Sequence, residues 1–163
     1  MSNVQEPEAV PSGNERAGSQ TSAADTQRSP SVRWKVGDSA SFSKTITEAD
    51  IVLYAGITGD TNPIHLDEEY ARKSRFGRRI AHGMLSVGLI SAVLGTKLPG
   101  PGAIYAGQTL RFLAPVHIGD TITASATIDS YDPERGKMTI RTECHNQEGE
   151  MVISGEALVL YRP

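Results

Sequence analysis

Apolar residues are unevenly spread along this chain, and their spacing changes three times. From Met1 to Val32 there is no Leu, Ile, Phe, Tyr or Trp. Ser, Thr, Gln, Glu, Ala, Pro and Gly dominate, leaving too little apolar surface to offset the entropy of ordering. A disordered N-terminal tail is therefore predicted over residues 1–32, ahead of one folded domain over 33–163. From Lys35 to Ile46 a turn signal, Val36-Gly37-Asp38, precedes a rough alternation through Ala40, Phe42 and Ile46, which predicts a strand. Thr47 is a good N-cap, and Ile51, Tyr54 and Ala55 recur at helical spacing, so a short helix is predicted over 48–57, ended by Gly59. An irregular polar stretch around Pro63 follows, then a short helix over 67–73. The longest helical signal is 83–97. It is apolar nearly all round, with Leu85, Val87, Leu89, Ile90, Ala92, Val93 and Leu94, which predicts burial on more than one side.

Leu98-Pro99-Gly100-Pro101-Gly102 stops that helix. Beyond it the period becomes two. Ile104–Leu113, Thr121–Asp132, Lys137–Asn146 and Met151–Tyr161 are rich in Ile, Val, Thr and Tyr and read as strands. The breaks between them are short and turn-like, which predicts four strands meandering antiparallel. The predicted fold class is α+β, an antiparallel sheet curled around a long buried helix.

Charge and composition narrow the function. The net charge is -3 and the pI about 5.8, without the basic excess of a general nucleic-acid binder. Glu6, Glu8, Glu15 and Asp25 outnumber Arg16 and Arg28 in the tail, so the folded part is nearly neutral. The single Cys144 excludes an internal disulfide and a cysteine-based zinc site. No segment approaches the ~18 apolar residues of a membrane span. The N-terminus lacks the apolar run of a signal peptide. A cytoplasmic protein is the expectation, without membrane or nucleic-acid partners.

Two polar features interrupt the apolar pattern where chemistry could sit. Asp60 and His65 lie five residues apart in a loop whose path is set by Asn62-Pro63. A carboxylate and an imidazole so placed can converge on one water or one substrate proton as an acid/base couple. Alternatively, Asp60 is a turn former and His65 is satisfied locally. Ala81-His82-Gly83-Met84 opens the long helix, where unpaired N–H groups and the dipole favour an oxygen gaining negative charge. Gly83 would let a ligand approach them, or it merely permits close packing. His82 receives no chemical role. Ser91, inside the apolar helix, bonds the carbonyl four residues back or orients Asp60, and Ser86 competes for that second role. Arg72, Lys73, Arg75, Arg78 and Arg79 place five cations in eight residues. They form a solvated basic face or a site for a phosphorylated ligand such as coenzyme A. The four His show no metal-ligand spacing, so no metal is expected. No nucleophile elbow is present.

Thr58-Gly59-Asp60-Thr61-Asn62-Pro63-Ile64-His65-Leu66-Asp67 resembles the hydratase motif of the MaoC-like (R)-specific enoyl-CoA hydratases. Ile80 to Leu85, Tyr105 to Phe112 and Pro115 to Asp120 resemble further segments of that family, so the likeness runs from about Trp34 to Tyr161. It is nearest to the short hydratases that supply polyhydroxyalkanoate synthesis. The resemblance implies a hot-dog fold and a homodimer joined sheet edge to sheet edge, with active sites near the interface. It implies that Asp60 and His65 hold a catalytic water. That water adds to a trans-2-enoyl thioester to give an (R)-3-hydroxyacyl-CoA, reversibly. It assigns the thioester carbonyl to the Gly83 N–H, orientation of Asp60 to Ser91 rather than Ser86, and loop support and site contact to Asn62. Coenzyme A thioester is then substrate, and no cofactor is implied. The rival readings are a hydratase of acyl-carrier-protein or dicarboxyl thioesters, a thioesterase of the same fold, and a non-catalytic acyl-CoA-binding subunit. Thioesterases of this fold commonly lack the paired Asp/His loop, and a binding subunit should lose one of the pair.

Overall fold

The computed structural model describes residues 34–162. The tail expected over 1–32 lies outside the described residues. Nine elements follow in order: β1 (Ser39–Thr45), α1 (Glu48–Thr58), α2 (Pro63–Leu66), α3 (Glu68–Arg72), α4 (Gly83–Thr96), β2 (Ile104–Phe112), β3 (Thr121–Asp132), β4 (Lys137–His145) and β5 (Met151–Leu160). The period-two segments are strands and the helical segments are helices, with ends moved by a few residues. One addition is α2. The stretch expected to be irregular closes into a single helical turn because Asn62 caps it and Pro63 occupies its first position, where a missing N–H costs nothing.

The five strands form one antiparallel sheet in the order β1-β3-β4-β5-β2. The expected four-strand meander is therefore corrected: β3, β4 and β5 are consecutive neighbours, but β2 pairs with β5 at the far edge. The reason lies in the link between β2 and β3. It crosses the helix layer, accepting the Ala81 N–H at the Val116 carbonyl at 2.7 Å. It then docks on the end of β1 through Gly119 N–H to Ile46 O and Ile46 N–H to Asp120 O, both 2.8 Å. β3 thus starts beside β1, not beside β2.

The sheet bends around α4, which packs mainly on β3 and also touches β1, β2 and β4. Ile122, Ala124, Ala126 and Ile128 of β3 alternate inward, and the two alanines leave room for the helix. Leu85, Leu89, Ile90, Val93 and Leu94 supply the helix side of the core. Each such side chain contributes about 1.5–3 kcal/mol on burial. The expectation that α4 is buried on more than one side needs correction within the chain. Gly88, Ser91 and Gly95 are exposed, along a stripe at helical spacing that begins at Met84. The sheet covers one side, and small residues line the other.

Candidate active site

Local chemistry builds the lip of the site. The Thr47 and Asp50 side chains cap α1 reciprocally, and Gly59 ends it in the left-handed region at φ 77°. A β-carbon would strain that turn, which directs the chain into Asp60. The Asp60 N–H donates to Thr58 Oγ1 at 3.2 Å, and Asp60 Oδ1 accepts the Asn62 N–H at 3.3 Å. Asn62 Oδ1 accepts the Ile64 N–H at 3.3 Å, capping α2. Asn62 therefore braces the loop, but its side chain does not line the cavity.

His65 sits on α2, 8% exposed. Its Nδ1–H donates to the Ile80 carbonyl at 2.8 Å, because a carbonyl only accepts. In the neutral ring that leaves Nε2 as a bare acceptor. Burial holds the His65 pKa below its ordinary 6.5, and neighbouring His82 lowers it further, against the opposing pull of the Ile80 carbonyl and Asp60. Neutral pH thus favours the basic form.

His82, which the sequence reading left without a role, is the hinge of the arrangement. It is 2% exposed, directly before α4. Its Nε2–H donates to the Asp60 backbone carbonyl at 2.9 Å. Its ring stacks on His65 at 3.9 Å and meets Tyr54 at 4.8 Å. One polar atom from each of Asp60, His65 and His82 lies within 4.8 Å of the others. Such a set could attract a cation, but each ring already spends one nitrogen on a carbonyl.

These groups border a cavity of about 330 Å³. Asp60, His65, His82, Gly83 and Ser86 give it one polar wall. Phe76, Ile80, Met84, Phe112, Leu113, Val116, Val152 and Ile153 make most of the rest apolar, and Arg75 also lines it. Gly83 opens α4 at the polar wall, so the first N–H groups of a 14-residue helix meet the cavity there. The Phe112 ring lies directly over Gly83, where a β-carbon would stand 2.5 Å from it.

The remaining expected residues divide. Ser91 is not brought to this site within the chain: it is exposed and absent from the cavity lining, whereas Ser86 is fully buried and lines it. Five residues on a helix turn the side chain by about 140°, which separates the two serines. Of the five cations, Arg75 lines the cavity and lies over Phe76. Arg78 is exposed, and Lys73 borders a separate shallow depression. Arg72 pairs with Glu69 at 2.9 Å. Arg79 is a correction: its guanidinium grips Glu48 at 2.7 and 2.9 Å and Glu68 at 3.3 Å. It ties α1 to α3 around the Asp60 loop and is engaged there rather than offered to a phosphate. Cys144 is buried, and burial pushes its thiol up to about 12, so it packs rather than reacts.

The MaoC like domain family profile matches residues 34–150. The chain belongs to the MaoC-like family. An (R)-specific enoyl-CoA hydratase of Rhodospirillum rubrum is 58% identical over 126 residues, covering 77% of this chain and 87% of that one. A 3-hydroxybutyryl-CoA dehydratase of Methylorubrum extorquens is 50% identical over 125 residues, covering 77% and 79%. The solved (R)-hydratase of Aeromonas caviae, described as involved in PHA biosynthesis, superposes with a TM-score of 0.77 at 38% identity, covering 81% of this chain and 99% of that one. The fold of this MaoC-like chain is accordingly the hot-dog fold, with α4 as the helix that its sheet wraps.

Proposed function

We propose that this chain is an (R)-specific enoyl-CoA hydratase, adding water across a trans-2-enoyl-CoA to give (R)-3-hydroxyacyl-CoA and catalysing the reverse dehydration. The observation that carries the reading is the meeting of Asp60 and His65, within 4.8 Å, on the polar wall of an apolar cavity that also holds the start of α4. The apolar wall suits the acyl chain. The carboxylate and imidazole hold the water, which loses a proton as its oxygen bonds C3. The π electrons of the C2–C3 bond shift toward the thioester carbonyl, which faces the Gly83 N–H. A proton then returns to C2. Donors preorganised at the oxygen that gains charge stabilise this transition state more than the ground state. Water held on one wall and the carbonyl fixed beside it restrict addition to one face of the alkene.

Arg75, at the cavity, is the cation best placed for a coenzyme A phosphate, with Arg78 free on the neighbouring surface. A homodimer fits the sheet's two edges unequally. β2 carries exposed Ile104 (62%) and Phe112 (54%), and Leu113 follows it, so this apolar edge is the one that gains by pairing. Phe112 and Leu113 also line the cavity, which a second copy would extend. A coenzyme A thioester substrate and a reduced, buried Cys144 suit the cytoplasm. Among the described residues, no helix is long and apolar enough to cross a membrane.

Loss of the conjugated enoyl-thioester absorbance of crotonyl-CoA tests the reading, with the product trapped by an (R)-specific 3-hydroxyacyl-CoA dehydrogenase. Asp60→Asn and His65→Gln should each lower the rate about 10²–10⁴-fold while the protein stays folded. Wild-type rates in either variant would remove that residue from the site, and release of free coenzyme A from saturated acyl-CoA would replace the hydratase by a thioesterase.

A further inference from the structure

Ser86 is fully buried and borders the cavity, yet its Oγ has no hydrogen-bond partner. A serine inside a helix ordinarily returns its hydroxyl to the carbonyl four residues back. Here that is the carbonyl of His82, which accepts the Leu85 N–H at 3.0 Å but not the Ser86 hydroxyl. An unpaired hydroxyl in such a place costs stability, so its retention beside a cavity points to a partner that arrives with the ligand. Direction supports this. Ser86 stands one helical turn after Gly83, on the same face of α4, and helical side chains lean toward the N-terminus. The hydroxyl therefore leans back over the turn that presents the Gly83 N–H. The other donors and acceptors of the polar wall are committed or differently placed. His65 Nδ1–H is held by Ile80 O, and His82 Nε2–H by Asp60 O.

We propose that the Ser86 hydroxyl is a second hydrogen-bond donor to the thioester carbonyl oxygen, acting beside the Gly83 N–H. This rests on the hydratase reading and adds a carbonyl-binding side chain to it. Ser86 transfers no proton. Its O–H stays intact and shortens its bond to the carbonyl oxygen as that oxygen takes up the electron pair displaced from the C2–C3 bond. The pair returns when C2 is protonated.

Ser86→Ala separates this role from a structural one, because alanine removes the unpaired hydroxyl and little else. With crotonyl-CoA, kcat should fall about 10–100-fold with KM nearly unchanged, while the thermal midpoint stays level or rises. A second readout needs no turnover. In an Asp60→Asn background, bound crotonyl-CoA labelled with 13C at the carbonyl should show a lower C=O stretching frequency with Ser86 than with alanine. Wild-type kcat in Ser86→Ala, or an unshifted carbonyl band, overturns the assignment. A lowered thermal midpoint with unchanged kcat would also overturn it and make Ser86 structural. A wild-type enzyme without hydratase activity on enoyl-CoA would instead sink the underlying reading, and this assignment with it.

Discussion

Gly83→Ala probes the start of α4 most directly. The added β-carbon would lie 2.5 Å from Phe112 Cε1 and 2.9 Å from its Cδ1 and Cζ. Carbon atoms rest at about 3.5–4.0 Å, so the ring must retreat by about 1 Å. Phe112 is 54% exposed at the sheet edge, and the clashing atoms are the far end of its side chain. It can swing, at a cost of about 1 kcal/mol for an off-rotamer or repacked ring. The effect on chemistry should be larger. The methyl group and the displaced ring both occupy the approach to the first N–H groups of the helix. Losing one donor to a developing oxyanion costs about 10²–10³-fold in kcat, or about 3–4 kcal/mol. Steady-state hydration of crotonyl-CoA, run beside thermal denaturation, compares the two. The expected result is a deep loss of kcat with a thermal midpoint only a few degrees lower. Adding Phe112→Ala tests the cause: the clash disappears, stability returns, and activity stays low because the alanine methyl still covers the N–H. A Gly83→Ala enzyme with wild-type kcat/KM would refute the placement of the carbonyl at this helix end.

Further outcomes rest on the same geometry. The folded pKa of His65 lies below 6.5, chiefly through burial, so the acidic limb of kcat/KM should fall below pH 6.5 and vanish from what activity remains in His65→Gln. The unfolded chain protonates this ring near 6.5 while the folded one does not. Stability should therefore decline as pH drops from 6.5 toward the folded value, a loss that urea titrations would find reduced in His65→Gln. Glu48 behaves separately, because Arg79 lowers its carboxyl below 4.5 and its contribution is lost only at more acidic pH. Arg79→Ala should cost about 1 kcal/mol of stability, read as a lower thermal midpoint, and leave KM for coenzyme A thioesters nearly unchanged, whereas Arg75→Ala should raise KM and weaken its salt dependence. Cys144, pushed up to about 12 in the core, should resist thiol reagents in the native state at pH 8 and react at once in denaturant, as a colorimetric titration would show.

Much of this protein is written in local pattern. Strand and helix periods, the Thr47 cap, the Gly59 stop and the Leu98–Gly102 break are short-range features. They place every element but α2 within a few residues of its observed ends. The Asp60–His65 spacing is local too, because five residues with a fixed proline leave the chain few paths. What the pattern could not decide is how the elements meet. Strand order depends on where the Leu113–Asp120 link docks, and its partners Ala81 and Ile46 lie far away in sequence. The exposed stripe on α4 exists because a bent sheet covers one side of a helix, a fact invisible to helical periodicity. The same geometry puts Ser86, not Ser91, at this cavity. Both are serines in one apolar helix, and only the rotation of α4 against the sheet tells which of them faces the cavity. His82 and Arg79 are the clearest cases. The sequence gives His82 no chemical role and leaves Arg79 in a basic run that is either a solvated face or a phosphate site. Burial of one against His65, and the two glutamates around the other, tie them to the elements that flank the Asp60 loop. Sequence alone supplies the parts and the chemistry they carry, while long-range packing decides which of those parts share one cavity.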